Sequence, residues 1–360
     1  MKRTQVYPII QALLAAAMFG LSAPLAKLLL GQIEPIPLAA FLYLGSGIGL
    51  ALYKGIQRLR RTSRQAEAQV RRADIPWVIG ALLTGGVAGP ILLMVSLRHT
   101  PAATASLLLN FEGVATTLIA AAAFKEAVDR RVWWAIVLIT LASVLLSWSS
   151  GSAWGISWGA LGVLGACAMW GIDNNLTRNI SAKDPLTTVA IKGLGAGSFS
   201  LLLALALGNP FPRWPAALGA MALGSVSYGL GIVLFILALR GLGAARTSAL
   251  YGAAPFVGAI FSFLLLKESL TASFIIAFAM MIAGAALLLG EKHRHIHLHP
   301  TLEHEHRHRH DDEHHGHEHT EEVAPETAHS HVHRHAETEH THPHMPDIHH
   351  RHGHEKTVDH

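Results

Sequence analysis

The sequence predicts an all-α membrane protein of ten transmembrane helices, built as two inverted five-helix repeats and followed by a disordered His-rich tail. Three observations predict this class. The chain of 360 residues is 51% hydrophobic and only 14% charged. Its apolar residues form long stretches rather than short alternating segments, which favours membrane helices over a barrel. Motifs of the first half recur at a fixed distance in the second half, which indicates an internal repeat.

The membrane spans are predicted from length alone. A helix needs about 20 apolar residues to cross about 30 Å of hydrocarbon. The stretches that meet this requirement, separated by glycines, prolines and charges, are 8–30, 36–53, 75–97, 101–123, 132–148, 157–177, 186–207, 215–238, 246–266 and 272–290.

The charges divide the chain into a basic body and an acidic tail. Residues 1–290 hold 21 Lys and Arg against 9 Asp and Glu, whereas residues 291–360 hold 7 against 15. With the N-terminus in the cytoplasm, sixteen basic residues of the body fall inside and four outside. Short loops rich in Lys and Arg stay on the cytoplasmic side. We therefore expect a multi-pass protein of the bacterial inner membrane with both termini in the cytoplasm.

The internal repeat has two offsets. At an offset of 142, Lys125-Glu126 falls on Lys267-Glu268, and at an offset of 151, residues 17–20 fall on residues 168–171. A unit of five spans is odd in number, so the second copy enters the membrane upside down. Inverted repeats underlie alternating access in many secondary transporters. The predicted domains are 1–148 and 149–290, the two repeats, and 291–360, the tail.

The two repeats, each with a Lys-Glu pair closing its fourth span, resemble the EamA-type members of the drug/metabolite transporter superfamily. Residues 108–113 and 172–178 are similar to one EamA subfamily in particular. The resemblance covers about residues 7–290 and leaves the tail outside. It implies a secondary transporter, in a superfamily that moves amino acids, sugars, nucleotide derivatives and drugs. Some bacterial members are associated with nickel and cobalt resistance.

Glu112 is the first candidate transport residue, because charged groups within spans are costly and tend to be functional. Burial opposes ionisation of a carboxyl group. A proton and a cation would therefore compete for its oxygens, which gives a physical basis for antiport. The alternative is a neutral glutamic acid that hydrogen-bonds a neighbouring helix. Members of the resembled family that move organic substrates carry similar residues here, so Glu112 does not by itself indicate a metal ion.

The sixth span contributes Asp173, Asn174 and Asn175. Three consecutive side chains cover about 200° of a helix, so at least one should face a cavity. Their oxygens suit a cation or an ammonium group, and the alternative is hydrogen bonding between helices, worth about 0.6 kcal/mol per bond. Lys192 either pairs with Asp173 or snorkels to the cytoplasmic surface. Asn110 points to another side of the helix than Glu112, and close packing is its alternative role.

Histidines dominate the tail, which holds 24 of the 25 in the chain. Neutral imidazole is a good ligand for nickel, cobalt, copper and zinc, and a His-rich tract is typical of metal binding. The spacing selects no single metal. Two alternatives remain: a pH-responsive tail and inert low-complexity sequence. The predicted metal ligands are His293, His295, His297, His299, His304, His306, His308, His310, His314, His315, His317, His319, His329, His331, His333 and His335.

Together these features predict proton-coupled efflux of a divalent transition metal, with nickel or cobalt ahead of zinc, which the tail would collect. The alternative is an exporter of amino acids or other small metabolites whose tail senses metal. A third hypothesis is a membrane-anchored metal store. No nucleophile–base motif or nucleotide loop appears, so we expect neither an enzyme nor a required cofactor. The expected partners are the transported ion or metabolite, protons and the lipid bilayer. We expect no nucleic-acid partner, and a homodimer is compatible with the sequence.

Overall fold

The computed structural model describes residues 6–59, 68–124, 128–148, 157–181 and 183–289 of the body, and four short strands of the tail. Within these ranges the body is a bundle of helices, which confirms the all-α membrane fold. The helices of the first half are α1 (Val6–Gly20), α2 (Ser22–Leu29), α3 (Pro35–Leu59), α4 (Ile75–Ala81), α5 (Gly89–His99), α6 (Ala102–Leu108), α7 (Phe111–Phe124) and α8 (Arg130–Ser147).

The second half repeats this order. Its helices are α9 (Trp158–Thr177), α10 (Pro185–Ala206), α11 (Trp214–Gly224), α12 (Gly231–Leu242), α13 (Ala244–Tyr251), α14 (Ala254–Leu266) and α15 (Ala272–Leu289). Two π-helical segments, π1 (Leu82–Ala88) and π2 (Ser225–Leu230), join α4 to α5 and α11 to α12. Two short 3₁₀ turns lie at Arg72–Asp74 and Arg178–Ile180.

Eight helical segments of the described chain are long and apolar enough to cross a membrane. They are Val6–Leu29, Pro35–Gln57, Arg72–His99, Ala102–Phe124, Arg130–Ser147, Pro185–Ala206, Trp214–Leu242 and Arg246–Leu266. A shorter apolar helix covers Ala272–Leu288. The sixth predicted span is α9, a continuous helix of 20 residues whose apolar character is reduced by Asp173, Asn174 and Asn175. The prediction of ten spans therefore stays a prediction for these last two helices.

Both repeats break their fourth span at equivalent positions. The predicted span 101–123 is two helices, because the chain makes a tight turn at Leu109-Asn110, where the Asn110 backbone amide donates to the Leu107 carbonyl at 3.2 Å. The ninth span breaks at Gly252-Ala253. The two π segments are likewise related by the offset of 142. Discontinuous helices and π segments are frequent at binding sites.

Successive spans cross the bundle in opposite directions, so the connections between them lie at its two ends in turn. We call the end that holds Val6 and Leu289 the proximal end, and the end that holds residues 30–34 and 100–101 the distal end. Between them α3 packs against α10 and α11, and α9 packs against α5 and α7. A side chain at Gly193 of α10 would lie 2.8 Å from the backbone nitrogen of Gly47, so glycine permits this close approach.

The tail contains strands β1 (Ile296–His299), β2 (Leu302–His308), β3 (His329–His335) and β4 (Thr338–Thr341). Strand β1 pairs antiparallel with β4, and β2 with β3. In these four segments the structure differs from the predicted disorder, because histidine at every second position has the period of a strand. The rest of the predicted disordered tail lies outside the described residues.

The register of the strands sets several histidines opposite one another. His304 pairs with His333, His306 with His331 and His308 with His329, while His297 of β1 pairs with His340. Of the other predicted metal ligands, His299 and His335 also lie on strands. His293, His295, His310, His314, His315, His317 and His319 lie outside the described residues.

Candidate functional site

A cavity of about 290 Å³ lies inside the bundle, between helices of both halves. Aromatic side chains form much of its wall, and six polar or charged residues complete the lining. The aromatic residues are Phe19, Tyr43, Trp170, Tyr228 and Tyr251. The polar and charged residues are Ser22, Ser46, Glu112, Asp173, Asn174 and Lys192.

Glu112 enters the cavity from the first turn of α7, directly after the break in the fourth span. The Asn174 side-chain amide donates to Glu112 Oε1 at 2.9 Å and to Thr116 Oγ1 at 3.1 Å. Thr116 in turn donates to the Glu112 backbone carbonyl at 2.8 Å. These bonds fix the orientation of the carboxyl group and connect α7 of the first half to α9 of the second.

Asp173 and Lys192 form an ion pair in the lining of the cavity. The Asp173 side chain is 8% exposed and the Lys192 side chain 19% exposed, so most of the pair is buried. Thr177 donates a further hydrogen bond to Asp173 Oδ1 at 3.1 Å. Of the two roles left open for Lys192, the structure shows the pairing with Asp173. The pair lies toward the proximal end, four residues from the end of α9 and seven from the start of α10.

The π1 segment shapes the wall beside this pair. A Cβ atom at Gly85 would collide with the Asp173 carboxylate, so the absence of a side chain makes room for that group. The Gly85 carbonyl accepts hydrogen bonds from the Tyr43 hydroxyl at 2.8 Å and from Trp170 Nε1 at 3.0 Å. These two bonds hold two of the five aromatic rings in place. Neither Gly85 nor Tyr43 was predicted from the sequence, where the Gly85-Gly86 doublet is the one local signal.

The other two predicted site residues make contacts away from the cavity. The Asn110 side-chain amide donates to the Leu107 carbonyl at 2.9 Å and contacts Met281 Sδ at 3.6 Å. The Asn175 amide donates to the carbonyls of Thr116 at 3.1 Å and Gly171 at 2.8 Å. These contacts correspond to the packing and hydrogen-bonding alternatives for both residues. The structure therefore brings together Glu112, Asp173, Asn174 and Lys192, and leaves Asn110 and Asn175 in the surrounding framework.

The three charges of the cavity have no charged counterparts in the opposite repeat. The offset of 142 relates Glu112 to Ala254. The offset of 151 relates Asp173 to Ser22 and Lys192 to Phe41. The backbone of the bundle is thus repeated while the chemistry of the cavity is not. Among the described residues, no three His, Cys, Asp or Glu side chains come together in a group that could hold a metal ion.

Comparison with known proteins gives a consistent result for the body. A family model described as the EamA-like transporter family matches residues 6–148 and again residues 157–290. An uncharacterized transporter of Methanothermobacter thermautotrophicus is 28% identical over 294 residues, which are 78% of this chain and 85% of that protein.

Two further similarities cover a part of the chain and its fold. A probable 4-amino-4-deoxy-L-arabinose-phosphoundecaprenol flippase subunit ArnE of Pectobacterium atrosepticum is 38% identical over 79 residues, 22% of this chain and 69% of that subunit. A protein of known crystal structure aligns with a TM-score of 0.55 at 20% identity, over 79% of this chain and 96% of that chain. At this identity the structural similarity speaks for the fold.

Proposed function

We propose that this chain, which belongs to the EamA-like transporter family and is a multi-pass membrane transporter, carries a small organic solute with a single positively charged amine. The observation that carries this proposal is the cavity, where the Glu112 carboxyl group lies among five aromatic rings. An ammonium group is attracted both by a carboxylate and by the faces of aromatic rings.

The charges of the cavity favour a monocation. Lys192 compensates Asp173 in the buried ion pair, so Glu112 is the remaining acidic group of the lining. An ionised Glu112 leaves one negative charge for the solute to neutralise. The aromatic wall offers the apolar contact that an organic body needs. The flippase subunit that resembles part of this chain is named for a substrate with an amino group, which supports the same class of solute.

Glu112 also gives the proposed transporter a way to couple solute export to the proton gradient. A proton and an ammonium group cannot occupy the same carboxylate, so each displaces the other. If the cavity faces the two sides of the membrane in turn, proton entry drives solute exit. The basic residues of the proximal loops favour a cytoplasmic position for this end, and the solute would leave toward the distal side.

A second candidate function, efflux of nickel, cobalt or zinc, is favoured by one observation, the 24 histidines of the tail. Such a tail would bind metal at neutral pH and either deliver it to the body or regulate transport. We would measure loss of radioactive nickel from preloaded cells that make the full chain or a chain ending at Gly290. Faster loss with both would support metal export by the body. Faster loss with neither would count against it.

The amine proposal is tested in proteoliposomes with a pH-sensitive dye. Tyramine, an aromatic monoamine, should release protons through the wild-type protein, whereas 4-hydroxyphenylacetate, an anion of similar size, should not. The Glu112→Gln variant should fold and lose at least about tenfold of the tyramine signal, since glutamine keeps the hydrogen-bonding oxygen but carries no charge. Glu34→Gln, at the distal end and outside the cavity, is the matched control. Full activity in Glu112→Gln would remove this residue from the mechanism.

A further inference from the structure

Two charged side chains hold the connection between α5 and α6 at the distal end. Lys27, near the end of α2, donates to the carbonyls of Leu97, of Arg98 at 3.3 Å and of Thr100 at 3.0 Å. Glu268, which follows α14, accepts hydrogen bonds from the backbone amides of Ala102 at 2.6 Å and Ala103 at 2.9 Å. We call this group, Lys27 and Glu268 with the connection 97–103, the distal clamp.

The distal clamp satisfies the helix ends it joins. The last carbonyls of α5 and the first amides of α6 have no partners within their own helices. A cation at a helix C-terminus and an anion at a helix N-terminus also match the helix dipoles. Lys27 comes from the first span and Glu268 from the connection after the ninth, 166 residues from Ala102. The clamp therefore ties elements of both halves together at this end.

The backbone after α14 is shaped to bring Glu268 to the clamp. Lys267 has a φ of +51°, the left-handed conformation, and among the described residues it is the one that is not glycine with positive φ. A lysine in this conformation is strained, because its Cβ atom lies too close to the following carbonyl oxygen. Strained backbone of this kind persists where the surrounding contacts hold it in place. Here the two hydrogen bonds of Glu268 are such contacts.

The two ends of the bundle are packed differently. At the distal end α2 packs against both α5 and α6. The repeat relates α2 to the end of α9, and α5 and α6 to α12 and α13. In the described part of the chain, α9 packs on α4 and α7 toward its proximal end and makes no contact of similar extent with α12 or α13. The packing of α2 on the helices of the α5–α6 connection therefore has no equivalent at the proximal end, toward which the ion pair of the cavity lies.

We propose that Lys27 and Glu268 are positioning residues that keep the cavity closed at the distal end, and that their bonds break when the cavity opens to that side. This rests on the proposed function in one respect, that the solute leaves through the distal end. Removing either charge would then favour the distal-open state. Arg98 and Glu34, an ion pair of 2.8 Å at the same end with side chains more than a third exposed, would have little influence.

The test is the accessibility of a single cysteine from the distal side. Cys167 is the only cysteine of the chain and is buried, so Cys167→Ala gives a background for Ser46→Cys, a buried cavity position. A membrane-impermeant thiol reagent is added to the distal side of sealed vesicles, whose orientation is fixed by antibody access to the tail. In this background, Glu268→Gln and Lys27→Gln should each raise the labelling rate at least about tenfold, and Glu34→Gln should not.

Each outcome tests the proposed role of the distal clamp without depending on which solute is transported. Unchanged labelling in both clamp variants, with thermal midpoints near that of the parent, would overturn the proposal. Equal labelling increases in the clamp variants and in Glu34→Gln would also overturn it, because any lost charge at this end would then suffice. If Glu268→Gln does not fold, the labelling rate measured in Lys27→Gln decides whether the clamp proposal holds. The reagent needs no solute, so a failure of tyramine transport leaves this result standing.

Discussion

Asn174 donates a hydrogen bond to Glu112 at 2.9 Å, and this bond connects the second half of the chain to the first across the cavity. An amide cannot change its charge, and it can donate to a carboxylate oxygen or to the carbonyl oxygen of a neutral carboxyl group. The bond can therefore persist while Glu112 exchanges a proton for a solute. Its role is to orient the carboxyl group rather than to fix its charge.

The neighbouring residues Asn174 and Asn175 should separate transport from stability. Asn174→Ala removes the partner of Glu112, and we expect at least about a fivefold loss of tyramine-driven proton release with a small change in stability. Asn175 is buried and bonds two backbone carbonyls, so Asn175→Ala should cost about 1–3 kcal/mol instead. Transport per folded molecule and the free energy of unfolding in detergent, measured for both variants, check this. The reverse pattern would assign the orienting role to Asn175.

The Asp173–Lys192 pair should show strong coupling. Lys192→Met leaves the Asp173 carboxylate buried without its cation, and we expect a destabilisation of about 3–5 kcal/mol. Adding Asp173→Asn should recover much of that loss, because the double variant has no unpaired buried charge. A double-mutant cycle of unfolding free energies measures the coupling. Additive losses in the cycle would mean that the two charges do not depend on one another.

Gly85 should tolerate no side chain. In Gly85→Ala the new methyl group meets the Asp173 carboxylate, and we expect a loss of about 1–3 kcal/mol together with weaker transport. At Gly55 of α3 a Cβ atom would have nothing within 4 Å, so Gly55→Ala should instead stabilise by up to about 1 kcal/mol. Thermal unfolding of both variants provides the comparison. Equal behaviour of the two would argue against the tight contact at Gly85.

Asp184 should make the protein sensitive to acid at the proximal end. Burial acts to raise the pKa of this carboxyl group, but hydrogen bonds from Lys54 and Thr187 outweigh it and hold the pKa below the usual aspartate value. The lowered pKa means that Asp184 stabilises the fold above about pH 4 and that this contribution disappears as pH falls through the folded-state pKa. It also caps α10 through the Leu186 amide at 3.0 Å.

Two substitutions separate these contributions of Asp184. Asp184→Ala should cost about 0.5–2 kcal/mol at pH 7, since it loses the cap as well as the charge. Asp184→Asn should keep most of the cap and reduce the loss of stability below about pH 4, because the lowered pKa places the titration of Asp184 under the usual aspartate range. Unfolding free energies at several pH values would measure both effects. An unchanged pH dependence in Asp184→Asn would show that other groups cause the acid sensitivity.

The sequence predicted the membrane fold because hydrophobic length is a local property of the chain. It also predicted that Glu112, Asp173 and Asn174 would be functional candidates, because charged and amide groups are costly within spans. The break in the fourth span was not predicted. Backbone groups freed there can be satisfied by distant side chains, as where the Cys167 thiol approaches the Leu108 carbonyl at 3.6 Å.

The aromatic wall of the cavity escaped prediction for the same reason. Tyr43 and Trp170 are distant in sequence and meet at one carbonyl of a π segment, Gly85. No pattern of spacing within either span records that meeting. The roles predicted for the tail histidines likewise stay predictions, since their chemistry was inferred from composition.

The unequal distribution of charge between the repeats has a consequence for how such a protein can be assembled. Two identical copies of the first half would carry Glu112 twice and no counterpart of Lys192, and two copies of the second half would carry the ion pair twice without Glu112. Neither homodimer could rebuild the site. Separately expressed halves should therefore regain activity only when a first half pairs with a second half. A solute that enters this asymmetric cavity should also bind in one preferred orientation, with its charged end toward Glu112.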